Sequence, residues 1–429
     1  MGRTRSNLDV HLNLNVRGRL PSATVAINER SDALREQGRQ VFKLGLGQSP
    51  FPVPDCVVQE LREHAHEKDY LAVKGLEPLR ETIADYHRRS DDIQAQAEDV
   101  LVGPGSKELM FLLQLVYYGD LVIPTPTWVS YAPQAGIIGR QVQWLQTSSQ
   151  DRWQLMPDQL AELCARDPGR PRIVILNYPN NPTGGTYKLE ELKSLARVAR
   201  ENRVVLLSDE IYGGLHYKGQ HVSIARFYPE GTIISSGLSK WCGAGGWRIG
   251  HFVFPPGLRW LLDAMAAVAS ETYTATSAPI QHAAIRAYQG GEEIERYLRN
   301  ARRGLSAYAR WCVNALTQAG IDVEPPRGAF YLFLDFERFR DRLAERGITT
   351  STQLCERLLD DTGAAILPGS AFGRPEHELT ARLAFVDFDG DKALRLLDDV
   401  PREAKVNGTF IKATCTGVCE GVRRICEWV

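Results

Sequence analysis

The chain has 429 residues, 43% of them hydrophobic and 24% charged, a composition that excludes a disordered chain and leaves room for more than one core. Its 51 basic and 52 acidic residues nearly cancel, so a net charge of -1 gives no electrostatic reason to expect nucleic acid or an anionic membrane surface as a partner. No apolar run approaches the ~18–20 residues of a membrane span, and the basic start, MGRTRSNLDVHLNLNVRGRL, lacks the continuous apolar core of a secretory signal.

Pro21-Ser22 opens a helix that stops near Gly38, a second helix starts near Pro54, and a third, GLEPLRETIADYHRR, follows Gly75. Short apolar runs then read as buried strands: DVLVG (99–103), DLVIP (120–124), RIVIL (172–176), VVLLS (204–208), TIISS (232–236) and HFVF (251–254). Helical stretches such as KELMFLLQLVYY and KLEELKSLARVARENR lie between them. This alternation predicts an α/β fold, with a large wound sheet over roughly 75–290 and crossover helices on both faces. After residue 291 the character changes. A long charged helix, EEIERYLRNARRGLSAYARWCVNALTQ, ends at Gly320, and strands at 329–335 and 381–386 predict a smaller α+β unit. The expected division is a large domain over 50–290 and a small domain built from 1–49 with 291–429.

Eight cysteines are too sparse and too irregular for a disulfide scaffold. Cys415 and Cys419 lie four apart, on one face of a helix, and are expected to be buried reduced thiols like the rest. His64 and His66 are two apart in a helical stretch, share no face, and read as surface residues. These features predict a soluble intracellular protein without a metal site.

Four polar clusters follow predicted strands, where open α/β sheets bind ligands. VGPGSKE (102–108) is a glycine turn opening a helix, a geometry suited to a phosphate. NYPNNPTGG (177–185) is a rigid turn that can present the amide of Asn181. SDEIYG (208–213) sets Asp209 at a strand end with Tyr212 three residues on. SSGLSKWCGAGGWRIG (235–250) places Lys240 in a small-residue loop, where desolvation would free its amine as a nucleophile, with Arg248 eight residues later.

In this order and spacing, NNPTG, SDEIYG and SK-x6-GWRIG resemble the class I/II pyridoxal-phosphate-dependent aminotransferases of fold type I. The resemblance runs from PSATVAINE to the Arg382 region. It implies a mostly parallel seven-stranded sheet in the large domain, pyridoxal 5'-phosphate as cofactor, and ping-pong transamination between an L-amino acid and a 2-oxo acid. By similarity, Lys240 carries the cofactor covalently and moves the substrate proton, and Asp209 pairs with the pyridine nitrogen. Tyr212 and Asn181 match groups that hydrogen-bond the ring oxygen, and Trp128 matches the aromatic that stacks on the ring. Gly105, Ser106, Lys107, Ser239 and Arg248 match the phosphate-binding region. Arg382 and Gly47 match contacts to the substrate carboxylate, with Trp128 and Asn181 beside them. Tyr70 matches a tyrosine that reaches the other subunit's phosphate, which implies a homodimer with shared sites; a cytoplasmic location is expected.

Four features depart from the family pattern, the first being Gln48-Ser49-Pro50 where many relatives have an acidic residue and a proline after the Gly47 position. Gly237 stands where many relatives have a phosphate-binding serine, and Ser236 and Ser239 are the nearby candidates to replace it. Trp241-Cys242-Gly243 after the lysine implies a different pocket wall. The tail beyond about residue 401 matches no role. G-S-K with WVSY downstream resembles the bacterial aspartate/prephenate aminotransferases, in which the lysine matching Lys107 helps bind a distal carboxylate. Aspartate or glutamate is therefore the expected donor. An aromatic or neutral amino-acid aminotransferase and a β-lyase are the alternatives.

Overall fold

The computed structural model describes residues 11–19 and 21–429. Most of the N-terminal segment weighed above as a leader, and the first ten residues of the expected small domain, lie outside them. In chain order the strands are β1 (Phe42–Lys43), β2 (Val100–Gly103), β3 (Asp120–Thr125), β4 (Val142–Gln146), β5 (Arg172–Asn177), β6 (Val205–Asp209), β7 (Thr232–Gly237), β8 (Gly250–Val253), β9 (Asp322–Val323), β10 (Tyr331–Asp335), β11 (Ala364–Ala365), β12 (Leu367–Pro368) and β13 (Thr380–Ala384). β2 to β8 form one seven-stranded sheet in the order β2-β8-β7-β6-β5-β3-β4. Every pairing is parallel except those of β8, which runs antiparallel to β2 and β7.

The apolar runs exist because both faces of this sheet are covered. Alternate residues serve opposite cores. Leu121, Ile123, Ile173 and Ile175 pack under the helices Ser106–Val116 and Arg259–Ser270. Val122, Val174 and Leu176 pack under Pro157–Arg166 and Leu189–Glu201. Each such fully buried aliphatic side chain stabilises the fold by about 1.5–3 kcal/mol. β4 was not among the predicted strands. It lies at the sheet edge, and its sequence, VQWLQ, is partly exposed throughout, so it carries no apolar run to find.

The second sheet, β12-β13-β10-β9, is antiparallel, and β1 pairs with β11. The helix Glu292–Gln318 lies beside them, burying Tyr297, Ala301, Leu305, Tyr308, Cys312 and Leu316 along one stripe at helical spacing. The tail has a structural role that its sequence did not disclose. Its helices Gly408–Thr414 and Thr416–Trp428 bury Val418, Val422 and Ile425 completely. Gly421 lies so close to β1 that a Cβ there would sit 2.8 Å from Leu44 and 3.0 Å from Phe42. All eight cysteines are free; Cys56, Cys419 and Cys426 are half-buried and the others buried. His64 departs from the surface reading, since its ring stacks on His282 at 4.4 Å just past the helix Asp55–Glu63.

Behind β8 a buried relay ties three elements together. His87 Nδ1 lies 2.7 Å from Asp91 Oδ2, His87 Nε2 lies 2.9 Å from His251 Nε2, and Tyr288 Oη lies 3.1 Å from His251 Nδ1. The contact between the two Nε2 atoms holds one hydrogen, so both histidines cannot be fully protonated in the fold. Burial, and then the neighbouring His87, push the pKa of His251 well below the ordinary histidine value. A depressed folded-state pKa leaves stability intact above the unfolded value near 6.5 and removes it as pH falls below that value. Between pH 6.5 and 5 the expected loss is about 2 kcal/mol. Urea unfolding of the wild type should reveal it, and His251→Phe should flatten the slope; equal slopes in both proteins would contradict a neutral His251.

Candidate active site

A cavity of about 390 Å³ opens where β5, β6 and β7 end, and residues of the second sheet and of the N-terminal segment close it. Parallel strands end on one side, so three successive strand-to-helix loops deliver their polar residues to the same crevice. Apart from Gly105 and Tyr70, every residue singled out above as a site residue lines this cavity.

Asp209 is the last residue of β6 and only 3% exposed. Tyr131 Oη donates to its Oδ2 at 2.5 Å and the Ile211 amide to its Oδ1 at 3.3 Å. Burial still dominates and pushes its pKa up to about 6. A carboxylate held this way, with no cationic side chain bonded to it among the described residues, favours a ligand that brings a positive N–H. The next residue, Glu210, turns away and accepts from Ser208 Oγ and Ser223 Oγ at 2.6 Å, with His221 Nε2 at 2.7 Å, which anchors the turn. Asn177 Nδ2 donates to the Asp209 carbonyl at 2.9 Å, and its Oδ1 accepts the Asn181 amide at 2.7 Å, so the two loops are fixed to each other.

Lys240 stands three residues after β7, and its Nζ donates to the Gly47 carbonyl at 2.7 Å. Burial lowers its pKa to about 8; Arg382, Arg248 and Lys107 add to the effect and Asp209 opposes it. A fraction of this amine is therefore unprotonated and nucleophilic near neutrality.

Arg248 and the first turn of Ser106–Val116 form an anion cradle. A Cβ on Gly105, whose φ is 89°, would collide with the Arg248 guanidinium, and one on Gly250 would collide with the Ser106 amide nitrogen. Only glycines let the guanidinium and the helix start approach this closely. Arg248 Nη1 donates to the Gly245 carbonyl at 2.9 Å and reaches Ser239 Oγ at 3.5 Å. Gly237 has no space for a side chain, since a Cβ would lie 2.8 Å from the Ile249 carbonyl oxygen. Of the two candidate serines, Ser239 lines the cavity, whereas Ser236 sits within β7 opposite His251.

Arg382, on β13, is fully buried. Its Nη1 donates to Asn181 Oδ1 at 3.0 Å, its Nη2 donates to the Gly45 carbonyl, and its Nε has no partner among the described residues. The guanidinium packs on the rings of Tyr331 at 4.8 Å and Phe372 at 4.9 Å. A buried, permanently charged fork with an unpaired N–H is a receptor for a carboxylate. Lys107 opens to solvent at the cavity mouth with its Nζ 5.1 Å over the Trp128 ring. The cleft walls, and then Arg248, push its pKa below the ordinary lysine value.

Tyr70 is 93% exposed and contributes nothing to this cavity. Trp241 corrects the expected change in the pocket wall, because it points into the core, edge-on to Tyr288 at 6.1 Å. Sequence reasoning missed Tyr131 and Tyr331, although both lie in quoted segments, WVSY and RGAFYLFLD. It also missed the cavity-lining Ser22, Thr24 and Val25, which lie in PSATV at the start of the helix Ala23–Glu36.

The family model of the class I and II aminotransferases matches residues 39–387. The aspartate aminotransferase of Geobacillus stearothermophilus is 35% identical over 369 residues, covering 83% of this chain and 90% of that protein. The aspartate/prephenate aminotransferase of Thermus thermophilus is 32% identical, with 85% and 92% covered. Among solved structures, the aspartate aminotransferase of Thermus thermophilus with maleate superposes with a TM-score of 0.82 at 28% identity, covering 98% of this chain and 100% of that one. That of Rhizobium meliloti gives 0.81 at 26%, with 98% and 99% covered.

Proposed function

This chain belongs to the class I and II aminotransferases, pyridoxal-phosphate-dependent enzymes of fold type I, and we propose that it transfers the amino group of aspartate or glutamate to 2-oxoglutarate or oxaloacetate by a ping-pong cycle. The residues present fit the cofactor: a desolvated amine, a buried carboxylate bonded to no cationic side chain, and an anion cradle share one cavity. When bound, pyridoxal phosphate supplies an electron sink that makes the substrate Cα proton removable.

The chain's own residues do the rest. Lys240 holds the cofactor through Nζ and, once substrate replaces it there, carries the proton on that same atom. Asp209 keeps a proton on the pyridine nitrogen, and Tyr131 fixes the carboxylate that does so. Tyr212 and Asn181 donate to the ring oxygen, and Trp128 covers the ring. Gly105, Ser106, Ser239 and Arg248 take the phosphate. Arg382 takes the substrate α-carboxylate beside Gly47, and its bond to Asn181 ties substrate binding to the cofactor contact.

The place of Lys107 in the cavity carries the choice of substrate. Among the described residues, four cations, Lys107, Lys240, Arg248 and Arg382, line it with one carboxylate, Asp209. Arg248 would take the phosphate and Arg382 the α-carboxylate, which leaves Lys107, at the cavity mouth, with no assigned anion; a second substrate carboxylate would pair with it. The similar proteins named for aspartate support the same reading. Steady-state assays with aspartate, glutamate, alanine and phenylalanine as donors test it. Aspartate or glutamate should exceed alanine in kcat/KM by about 10–100-fold, and Lys107→Ala should remove most of that margin. A preference for alanine or phenylalanine, unaffected by Lys107→Ala, would overturn it. Pyruvate and ammonia released from a β-substituted donor without an acceptor would assign a lyase instead.

The same reading makes the protein a cytoplasmic homodimer with shared sites, divided into 50–290 and 1–49 with 291–429. The exposed Tyr70, available to a second copy, supports the first point, and eight unpaired thiols suit a reducing compartment. The pairing of β1 with β11 supports joining the N-terminal segment to the later unit.

A further inference from the structure

Tyr331 enters the cavity from the first position of β10 and is 1% exposed. Its hydroxyl lies 2.7 Å from the hydroxyl of Tyr212, and the two rings meet edge-on at 5.5 Å. Its ring lies 4.8 Å from the Arg382 guanidinium. A Cβ on Gly47 would run into its hydroxyl, so that position has to be glycine for the tyrosine to reach Tyr212. One side chain thus touches the tyrosine, the arginine and the glycine that the proposed site uses for different tasks. Among the described residues, Tyr212 is the hydroxyl's one hydrogen-bond partner.

We propose that Tyr331 is a positioning residue for Tyr212: its hydroxyl donates to the Tyr212 oxygen and leaves the Tyr212 hydrogen aimed into the cavity. The inference rests on the transaminase reading of that cavity. Two hydroxyls this close share one hydrogen, and the better donor is the more acidic phenol. Burial raises both phenols and Arg382 opposes it in both, but its guanidinium lies against the Tyr331 ring, where its effect ranks next after burial, and Tyr212 stays well above the ordinary phenol value. Donation therefore runs from Tyr331 to Tyr212. A hydroxyl that accepts one hydrogen bond is a stronger donor in its next, so Tyr331 strengthens whatever bond Tyr212 makes to a cofactor oxyanion. β13 pairs Ala384 with Tyr331 and carries Arg382 two residues earlier, so one strand pair sets both the carboxylate fork and this relay.

Tyr331→Phe removes only the oxygen and keeps the ring against Arg382. In the cofactor-loaded enzyme, a weaker Tyr212 donor stabilises the ring oxyanion less. The pH midpoint of the visible absorption band should therefore rise by about half to one unit. In a Tyr212→Phe background the same change should move the midpoint no further. kcat should fall by about threefold to tenfold, with a smaller change in the amino-acid KM. An unchanged midpoint in Tyr331→Phe, or an equal shift in both backgrounds, would overturn the proposal, the second because the effect would not pass through Tyr212. The titration needs only bound cofactor. A wild type that titrates as described but transaminates no amino acid would instead sink the functional reading on which the proposal stands.

Discussion

Lys240→Ala should abolish turnover, lowering kcat by at least about 10⁴-fold, because one atom serves two functions. Nζ is both the proposed attachment point of the cofactor and the proposed proton carrier, and a positioned acid/base alone contributes about 10²–10⁴-fold. The cradle of Gly105, Ser106 and Arg248 and the carboxylate of Asp209 stay in place, so the variant should still bind cofactor without attaching it. Lys240→Arg should not rescue activity, since a guanidinium never sheds its proton in this range. The wild-type amine adds a pH signature. Its pKa is about 8, so the reactive unprotonated form is complete above that pH and falls about tenfold per unit below it. The rate at which cofactor-free protein captures pyridoxal phosphate, followed by absorbance, should rise up to about pH 8 and then level. A plateau already reached at pH 6, or a Lys240→Ala variant that turns over, would remove Lys240 from this role.

Arg382→Ala should lower kcat/KM for amino acid and 2-oxo acid alike by about 10²–10⁴-fold. Breaking a buried, desolvated charge pair costs about 3–5 kcal/mol, and the unpaired Nε shows that the guanidinium still has an N–H to offer. Most of the loss should fall on KM if the carboxylate is held equally before and during the reaction. Arg382→Lys should recover little, because an ammonium cannot form the fork or pack flat on Tyr331 and Phe372. Loss of the bond to Asn181 should also shift the visible band of the loaded enzyme slightly, which an arginine acting on substrate alone would not do. A change below tenfold in kcat/KM for both substrates would mean that the carboxylate is bound elsewhere.

Much of the large sheet was legible because its inner strands are covered on both faces, which writes itself as runs of Val, Ile and Leu. β4 escaped because an edge strand needs no such run. The tail escaped for a different reason. Its burial depends on β1 and on the helices Glu292–Gln318 and Ser351–Thr362, segments remote in sequence, and an amphipathic helix does not announce what it packs against.

The site divided along the same line. NNPTG, SDEIYG and the Lys240 loop are short turns after strands, and a local backbone requirement leaves a contiguous trace of Gly, Pro, Asn and Asp. By itself the sequence thus determined the family resemblance, the wound sheet and the residue types brought to the crevice. The tertiary structure alone decided that Tyr131 bonds Asp209, that Tyr331 bonds Tyr212, that Gly237 has no space for a side chain, and that Trp241 faces the core. Each depends on groups that meet only after the chain has folded, and in the two tyrosine contacts the partners are 78 and 119 residues apart. Distances and collisions between such distant groups are properties of packing, and no local pattern of residues encodes them.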